Sequence, residues 1–512
     1  MKNKSILFLT LVLTTFSFSC QDYLERPPYG VLTTENFYTN PPELLQALTA
    51  AYNTVGFYDF EVSLLAFGDI MTDDALKGGS NDNDNRAMHD LSYFFALSSN
   101  SMCLSLWQTC YKAIYKCNLV IEKAPNVESQ NPELVKRIVA EAKFLRGIYY
   151  FHLASTFGGL PLVTTSLRPS ELSLSRSSAD ETWNLIEKDF SDAANNLPKK
   201  SGYSATDIGR ATSGAANAML AKTYLMRQKY SEAEAVLKKV VDSGEYALVP
   251  DFGKIWTKAF ENSSESVFEI QHLATKSGWA DTEGTVINIH TMSRNNGGWG
   301  FQVPTEDLRQ EFEPGDPRRI YTFTQTGDIF GGNDIINNAQ SRSGYHNRKT
   351  HLGKNEQNWH WGSDQPYNIR YLRYADVLLL YAEVLNENNK PQEALIYLNM
   401  VRDRARATNP LDPRRIFQIE QITVDLPVVT TSDKNELRQK IWKERRVELA
   451  CEYHRRVDLI RQKRYGIVMR EFANKWNTDK GRFFKDEIHY LCPIPQQEID
   501  RSNLSIIQNP GY

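Results

Sequence analysis

Apolar residues recur at helical spacing over most of the chain. After Pro41 and Pro42, the residues Leu44, Leu45, Ala47, Leu48, Ala51 and Tyr52 share one helical face, and proline suits a first helical turn. Trp107, Tyr111, Ile114 and Asn118 predict a helix over 104–122, stopped by Pro125. Val135, Val139, Phe144, Ile148, Tyr149 and Leu153 predict another over 132–157, ended by Gly158, Gly159 and Pro161. Trp183, Ile186 and Phe190 carry a further helix over 179–196.

Residues 211–243 read as two adjoining helices. Ala215, Ala218, Ala221 and Tyr224 mark the first, and Tyr230, Ala233, Val236, Leu237 and Val240 the second. Small residues let such helices approach closely, and the spacing is that of a tetratricopeptide-like pair. A second pair is predicted over 371–386 and 391–407, with Ala375, Ala382 and Ala394 among Leu379, Tyr381, Leu395 and Leu398. One pair cannot bury its own apolar face, so the pairs are expected to stack on neighbours.

Elsewhere the helical period fades. The stretch from Asp69 to Asp90 is polar and reads as a loop, with short apolar residues 59–67 before it. Residues 250–370 alternate short β-prone pieces, Val267–Gln271 and Val286–Ile289, with Gly, Asn and Trp. Loops held on a rigid scaffold are natural binding elements. A last helix is predicted from near Asn435 to about Arg461. Glu444, Arg445, Arg446, Glu448, Glu452, Arg455, Arg456 and Asp458 alternate in sign along it, which reads as a solvated, mutually paired face.

The N-terminus has its own logic. Lys2 and Lys4 precede the apolar run Ile6–Leu13, and Cys20 follows the small Ser19. That order is an export signal, too short to span a bilayer as a folded anchor. It reads as a lipoprotein signal cut before Cys20, with Ser17 standing where a leucine is usual. More than one acyl chain on Cys20 would hold the protein stably at a membrane.

Composition narrows the chemistry. Lys plus Arg is 59 against 62 Asp plus Glu, a formal charge of −3, which argues against a broadly basic nucleic-acid binder. Cys103, Cys110 and Cys117 recur every seven residues, about 10 Å apart along a helix, too far to bridge and suited to a core stripe. No cysteine–histidine cluster argues for zinc, and Asn81–Asn85 lacks the glycine and closing glutamate of a calcium loop. There is no GxSxG elbow, no HExxH helix and no complete phosphate-binding glycine loop, and no acid pair stands out as a glycosidase couple. The expectation is a binding protein with no cofactor and no catalysis.

A set of motifs in order along the chain carries a family resemblance. They are Glu141-Ala142-Lys143-Phe144-Leu145-Arg146-Gly147-Ile148-Tyr149-Tyr150-Phe151 with Phe157-Gly158-Gly159-Leu160-Pro161; Glu265-Ser266-Val267-Phe268-Glu269-Ile270; Asp316-Pro317-Arg318-Arg319; Arg370–Glu383; Glu444-Arg445-Arg446 with Arg456-Val457-Asp458-Leu459; and the close Gln508-Asn509-Pro510-Gly511-Tyr512. Together they resemble the SusD/RagB family of nutrient-binding outer-membrane lipoproteins. Where the family commonly has an Ile-Arg-Leu/Tyr-Ala-Glu run, Tyr371 and Leu372 separate Arg370 from Arg373 and Asp376 takes the acidic position before Val377, with the helix preserved.

The resemblance implies a mainly α fold, in which tetratricopeptide-like helical pairs support an irregular, loop-rich ligand-binding region with short β-strands. The expected organisation is a signal at 1–19, a tether at 20–40, a helical part at 41–249, a ligand-binding insert at 250–370 and a C-terminal helical part at 371–512. The implied activity is capture of oligosaccharides or polysaccharides at the cell surface and delivery to a TonB-dependent SusC-like transporter. The alternative is a repeat-based protein-interaction scaffold in an uptake complex.

A sugar ring offers a C–H face to an aromatic side chain and hydroxyls to polar ones. Arg294-Asn295-Asn296-Gly297-Gly298-Trp299 puts two amides beside an indole, so Trp299 is either a sugar platform or part of the insert's core. Trp359-His360-Trp361 would place both indoles on one side of an extended segment, as a platform or as a wedge against the helices. Tyr93, after Arg86 and His89, and Trp279, after Gly278, complete the candidates, with Tyr345 behind them. Trp107 and Trp183 lie on helical stripes and read as core.

Overall fold

The computed structural model describes residues 37–168, 171, 174–274, 283–357 and 364–512. Cys20, most of the proposed tether, Trp279, Trp359, His360 and Trp361 lie outside the described residues.

Local chemistry sets the ends of the predicted helices. α1 spans Pro41–Asn53, and the Asn40 side chain accepts from the amide of Glu43. α2 is Ser101–Lys123, capped by Asn100, and α3 is Pro132–Phe157, capped by Asn131 and closed by Gly158 at φ 80°. α4, Ala179–Asn196, begins with a reciprocal capping box between Ser178 and Glu181. α5 (Ser213–Met226) and α6 (Tyr230–Asp242) form the first predicted pair; α7 (Tyr374–Glu387) and α8 (Pro391–Ala407) form the second. The helices pack in succession, and α6 lies against α7, so the two pairs stack directly. Close approach is built in: a Cβ on Gly147 of α3 would sit 2.8 Å from the Phe190 ring of α4. Cys103, Cys110 and Cys117 are all buried in this core, as are Trp107 and Trp183.

The strands are short and serve as clips. β1 (Ala75–Gly78) pairs antiparallel with β3 (Phe301–Pro304), and β2 (Ser266–Ile270) with β4 (Ile369–Arg373). Both clips join the insert to the helical frame. Three expectations change here. The stretch 69–90 is not all loop, since it holds β1 and a short helix, Arg86–Ser92. Val286–Ile289 is not a strand; Ile287–Thr291 forms a helical turn. Residues 371–373 belong to β4, and the helix starts only at Tyr374.

The largest correction concerns the last helix. It is two, α9 (Lys434–Glu448) and α10 (Arg455–Arg461), separated by Cys451 and Tyr453 in the left-handed region. Its charged face is mutually paired but not solvated: Glu444, Arg445, Glu448, Glu452, Arg455, Arg456 and Asp458 are buried. Glu448 accepts from Arg318 and Arg373 at 2.9 Å each and from Arg404. Arg318 also binds Asp316 and Glu444, Arg373 binds Glu265 and Glu452, and Lys349 binds Glu452. The ion network joins α9 to α8, to β4 and to the insert.

Candidate ligand-binding face

Two loops meet at one edge of the frame, each with a pair of adjacent phenylalanines. The first follows the helix Arg86–Ser92, whose start is capped by Asn85. Phe94 adopts φ 62°, a left-handed conformation rare for a bulky residue. That turn sends Phe94 into the core and leaves Phe95 outside, 47% exposed. The second loop runs from α11 (Tyr465–Trp476) into Phe483 and Phe484. Phe484 is buried, and Phe483 is 54% exposed.

The inner rings meet edge to face at 4.8 Å, and the outer rings, Phe95 and Phe483, at 6.4 Å. The outer surface is therefore positioned from below. Lys480 adds a polar anchor, its ammonium donating to the carbonyls of Ile70 and Ala75. Burial pulls that ammonium down to about 7.

Tyr93 continues the row. It stacks on His89 at 4.6 Å and on Phe95 at 6.2 Å. Its hydroxyl engages Thr478 of the second loop, and burial raises its pKa. Polar groups border the rings. Arg86 is exposed and donates to Asp90 at 2.7 Å, Asp82 pairs with Arg342 and lies 3.9 Å from His89.

Beyond the turn 80–84 lies a second aromatic group. Arg294 bridges to it, donating to Asp84 at 3.3 Å and to the Trp299 carbonyl at 3.1 Å. Trp299 is half-buried against His290, ring to ring at 4.4 Å, with Tyr58 on the far side at 5.5 Å. Burial lowers His290 to about 4, so the ring is neutral at pH 7. Its Nδ1 faces the Val286 carbonyl at 3.1 Å, which can only accept, so Nδ1 carries the proton. Nε2 is then the acceptor for the Tyr58 hydroxyl at 3.4 Å.

The structure thus brings Arg86, Tyr93, Asn295 and Trp299 around one polar turn, although they are separated by two hundred residues in sequence. Asn295 is exposed. Asn296 is buried, and its amide is committed internally: it donates to Asp334 and to the Ile335 carbonyl at 2.8 Å each and accepts from the Asn337 amide at 3.0 Å. Gly298 is needed for the protein's own backbone, since a Cβ there would lie 2.3 Å from the Met292 carbonyl oxygen. Tyr345 is half-buried under Arg309. Sequence reasoning missed Phe483 and Tyr58. The signal for the first is the doubled Phe483-Phe484, which repeats the inward and outward pattern of Phe94-Phe95.

Exposed flat rings interleaved with carboxylates, guanidiniums and an imidazole suit a ligand with apolar faces and a hydroxyl rim. Among the described residues, no group of three or more His, Cys, Asp or Glu is placed to hold a metal ion. The architecture defines a class: a stacked-helix frame that carries a binding face on irregular loops.

Comparison with known proteins gives the family. The model described as the SusD family matches residues 264–512, and one described as starch-binding associating with outer membrane matches 22–225. The chain belongs to the SusD/RagB family. A SusD-like protein of Formosa agariphila is 27% identical over all of both chains. Among solved structures, a laminarin-binding SusD-like protein is 28% identical with a TM-score of 0.76, covering 93% of this chain and 100% of that one. Surface glycan-binding protein A from Bacteroides fluxus is 25% identical, also at 0.76, covering 92% and 99%.

Proposed function

We propose that this protein captures oligosaccharides at the outer surface of the outer membrane and delivers them to a TonB-dependent SusC-like transporter, without altering them. Cys20 is the proposed lipid anchor, and its acyl chains would hold the protein beside the transporter. The observation that carries the reading is the row of half-buried Tyr93 with exposed Phe95 and Phe483, pinned from beneath by Phe94 and Phe484. Rings fixed before the ligand arrives lose little entropy on binding.

Arg86, Asp82 and Arg342 supply hydrogen bonds to sugar hydroxyls along the row, and Asn295 and Trp299 extend it across the Arg294 bridge. The face draws on the insert 250–370 but also on loops from both helical parts. Trp279, Trp359 and Trp361 remain proposed contributors from the insert. The laminarin named for one relative makes a β-glucan oligosaccharide the first probe.

The test is calorimetry of protein lacking residues 1–20 against a panel of neutral oligosaccharides. One glycan class is expected to bind and to be recovered intact. Phe483→Ala is expected to weaken it about tenfold, ~1.4 kcal/mol, with unchanged thermal stability, and Trp299→Ala to weaken it without unfolding the protein. Folded protein silent towards the whole panel would overturn the reading.

A further inference from the structure

A cavity of about 450 Å³ lies between α9 and α11 and shares no lining residue with the aromatic row. Its walls hold several cations, but most are already matched. Arg446 binds Asp73, Asp74, Asp307 and Glu311, and Arg455 binds Asp73. Lys475 pairs with Asp307 at 2.6 Å.

Arg464 differs. Its guanidinium lies over the Trp442 ring at 4.6 Å, and its Nε donates to Gln462 at 2.9 Å. Among the described residues no carboxylate comes within ion-pairing distance of it; Arg455 and Arg446 repel it from nearby, and the attraction of Asp73 and Asp458, both already paired with other arginines, is smaller than the effect of Arg455. Burial and Arg455 together pull it down to about 10. A half-buried arginine held by stacking, with its Nη edge unmatched, is a preformed receptor for an oxyanion. One unmatched positive charge asks for a monoanion. Two further lining groups, Gln439 and Glu471, are exposed and make no ion pair or hydrogen bond from their side chains among the described residues. An amide and a carboxylate so placed are suited to hydroxyl groups.

We infer that this cavity is a binding site for an acidic sugar of the uronate class, with its carboxylate on Arg464 and its hydroxyls on Gln439 and Glu471. The carboxylate follows from Arg464 alone; the choice of a sugar as its carrier rests on the proposed glycan-binding function. The site lies apart from the aromatic row, so the two can be tested separately.

The experiment is calorimetry at pH 7.5 with D-glucuronate, D-glucose and inorganic sulfate, on protein lacking residues 1–20. Glucuronate is expected to saturate one site, with glucose and sulfate each at least tenfold weaker. Arg464→Gln is expected to lose at least tenfold for glucuronate, and Glu471→Ala, at an exposed residue with no structural partner, at least threefold. Phe483→Ala is expected to leave glucuronate binding unchanged. Glucose binding that Arg464→Gln weakens as it weakens glucuronate would overturn the anion; sulfate binding as tightly as glucuronate would overturn the sugar. Glucuronate affinity untouched by Glu471→Ala, or by a folded Arg464→Gln protein, would overturn the site. Glucuronate binding that needs Arg464 in a protein silent towards all neutral glycans would uphold this site and sink the proposed function instead.

Discussion

Replacing Glu448 with glutamine is the sharpest perturbation of the frame. The carboxylate is fully buried and receives three guanidiniums, Arg318 and Arg373 at 2.9 Å and Arg404. Burial pushes its pKa up, but Arg404, Arg373 and Arg318 outweigh that and hold it well below the usual carboxylate range. Around it, Arg318, Arg373, Arg404, Arg402 and Lys349 are held by Glu448, Asp316, Glu265, Glu444 and Glu452, with Glu313 on Arg402 at the edge of the network. Glutamine keeps the shape, removes one negative charge and turns an N–H₂ towards at least one guanidinium. Removing one partner of a buried pair costs about 3–5 kcal/mol, because the charge left behind stays desolvated. That is a large part of the ~5–15 kcal/mol by which a folded domain is stable. Urea denaturation followed by far-UV circular dichroism measures it, with the slope unchanged and the midpoint lowered. As a control, Asp242→Asn breaks the exposed Lys238–Asp242 pair and should leave the midpoint in place. A Glu448→Gln protein within ~1 kcal/mol of the parent would show that the pairing is dispensable to the frame, against the cost expected for a buried pair.

Three further outcomes follow from particular contacts. Phe484→Ala should destabilise by about 3–5 kcal/mol through the cavity it leaves, whereas its neighbour Phe483→Ala should not move the melting temperature; equal effects would mean the inward and outward assignment is wrong. Gly68→Ala should prevent stable folding, since its Cβ would sit 2.6 Å from the Tyr453 carbonyl oxygen, and a melting temperature like the parent's would refute that packing. Acid should destabilise the protein between pH 6.5 and about 4. Burial lowers His290, His346 and His454 to about 4 and His152 further, so the unfolded chain takes up protons first and stability is lost as pH falls through that window. Asp69, raised by burial to about 7, opposes this, as do Asp74, Glu141 and Asp189, which burial also raises, while His351 and His489, lowered by burial, add to it. A melting temperature that is flat or rising from pH 6.5 to 4.5 would contradict the histidine assignments.

The helical frame was legible because its period and its caps are local. Asn40, Asn131 and Ser178 stand immediately before the helices they cap, and the alanines of α5 are visible as a stripe. The charged helix was misread for the opposite reason. Alternating acids and bases look the same on a solvated face as on a buried one, and the partners that bury Glu448 come from positions 318, 373 and 404. The break between α9 and α10 carries no proline or glycine; Cys451 and Tyr453 take left-handed conformations that sequence does not advertise. Val286–Ile289 looked β-prone from its branched side chains, yet tertiary packing made Ile287–Thr291 helical. At the candidate face, Tyr93 was legible as an aromatic beside Arg86 and His89. Phe483 was not, because its role comes from meeting Phe95 across nearly four hundred residues.

The buried charges and the exposed rings belong to one design problem. A face built from loops must be held still without being buried, so its fixings have to lie underneath. Phe94 and Phe484 supply the apolar fixing and Lys480 the polar one. Lys480→Met separates the two contributions. Methionine fills similar space and removes the cost of burying a cation, but leaves the carbonyls of Ile70 and Ala75 without their donor. An unsatisfied buried acceptor costs ~1–3 kcal/mol, and the relief of the buried cation offsets part of it, so global stability should change little. The loop, however, loses its hydrogen bonds to Ile70 and to Ala75 at the start of β1. Hydrogen exchange of the amides in 477–484 should then speed up while those of α3 stay protected. Glycan affinity should fall through the added ordering cost of Phe483, with the loss appearing in the entropy of binding rather than its enthalpy. Exchange in 477–484 unchanged by Lys480→Met would mean the phenylalanine pair alone fixes the face.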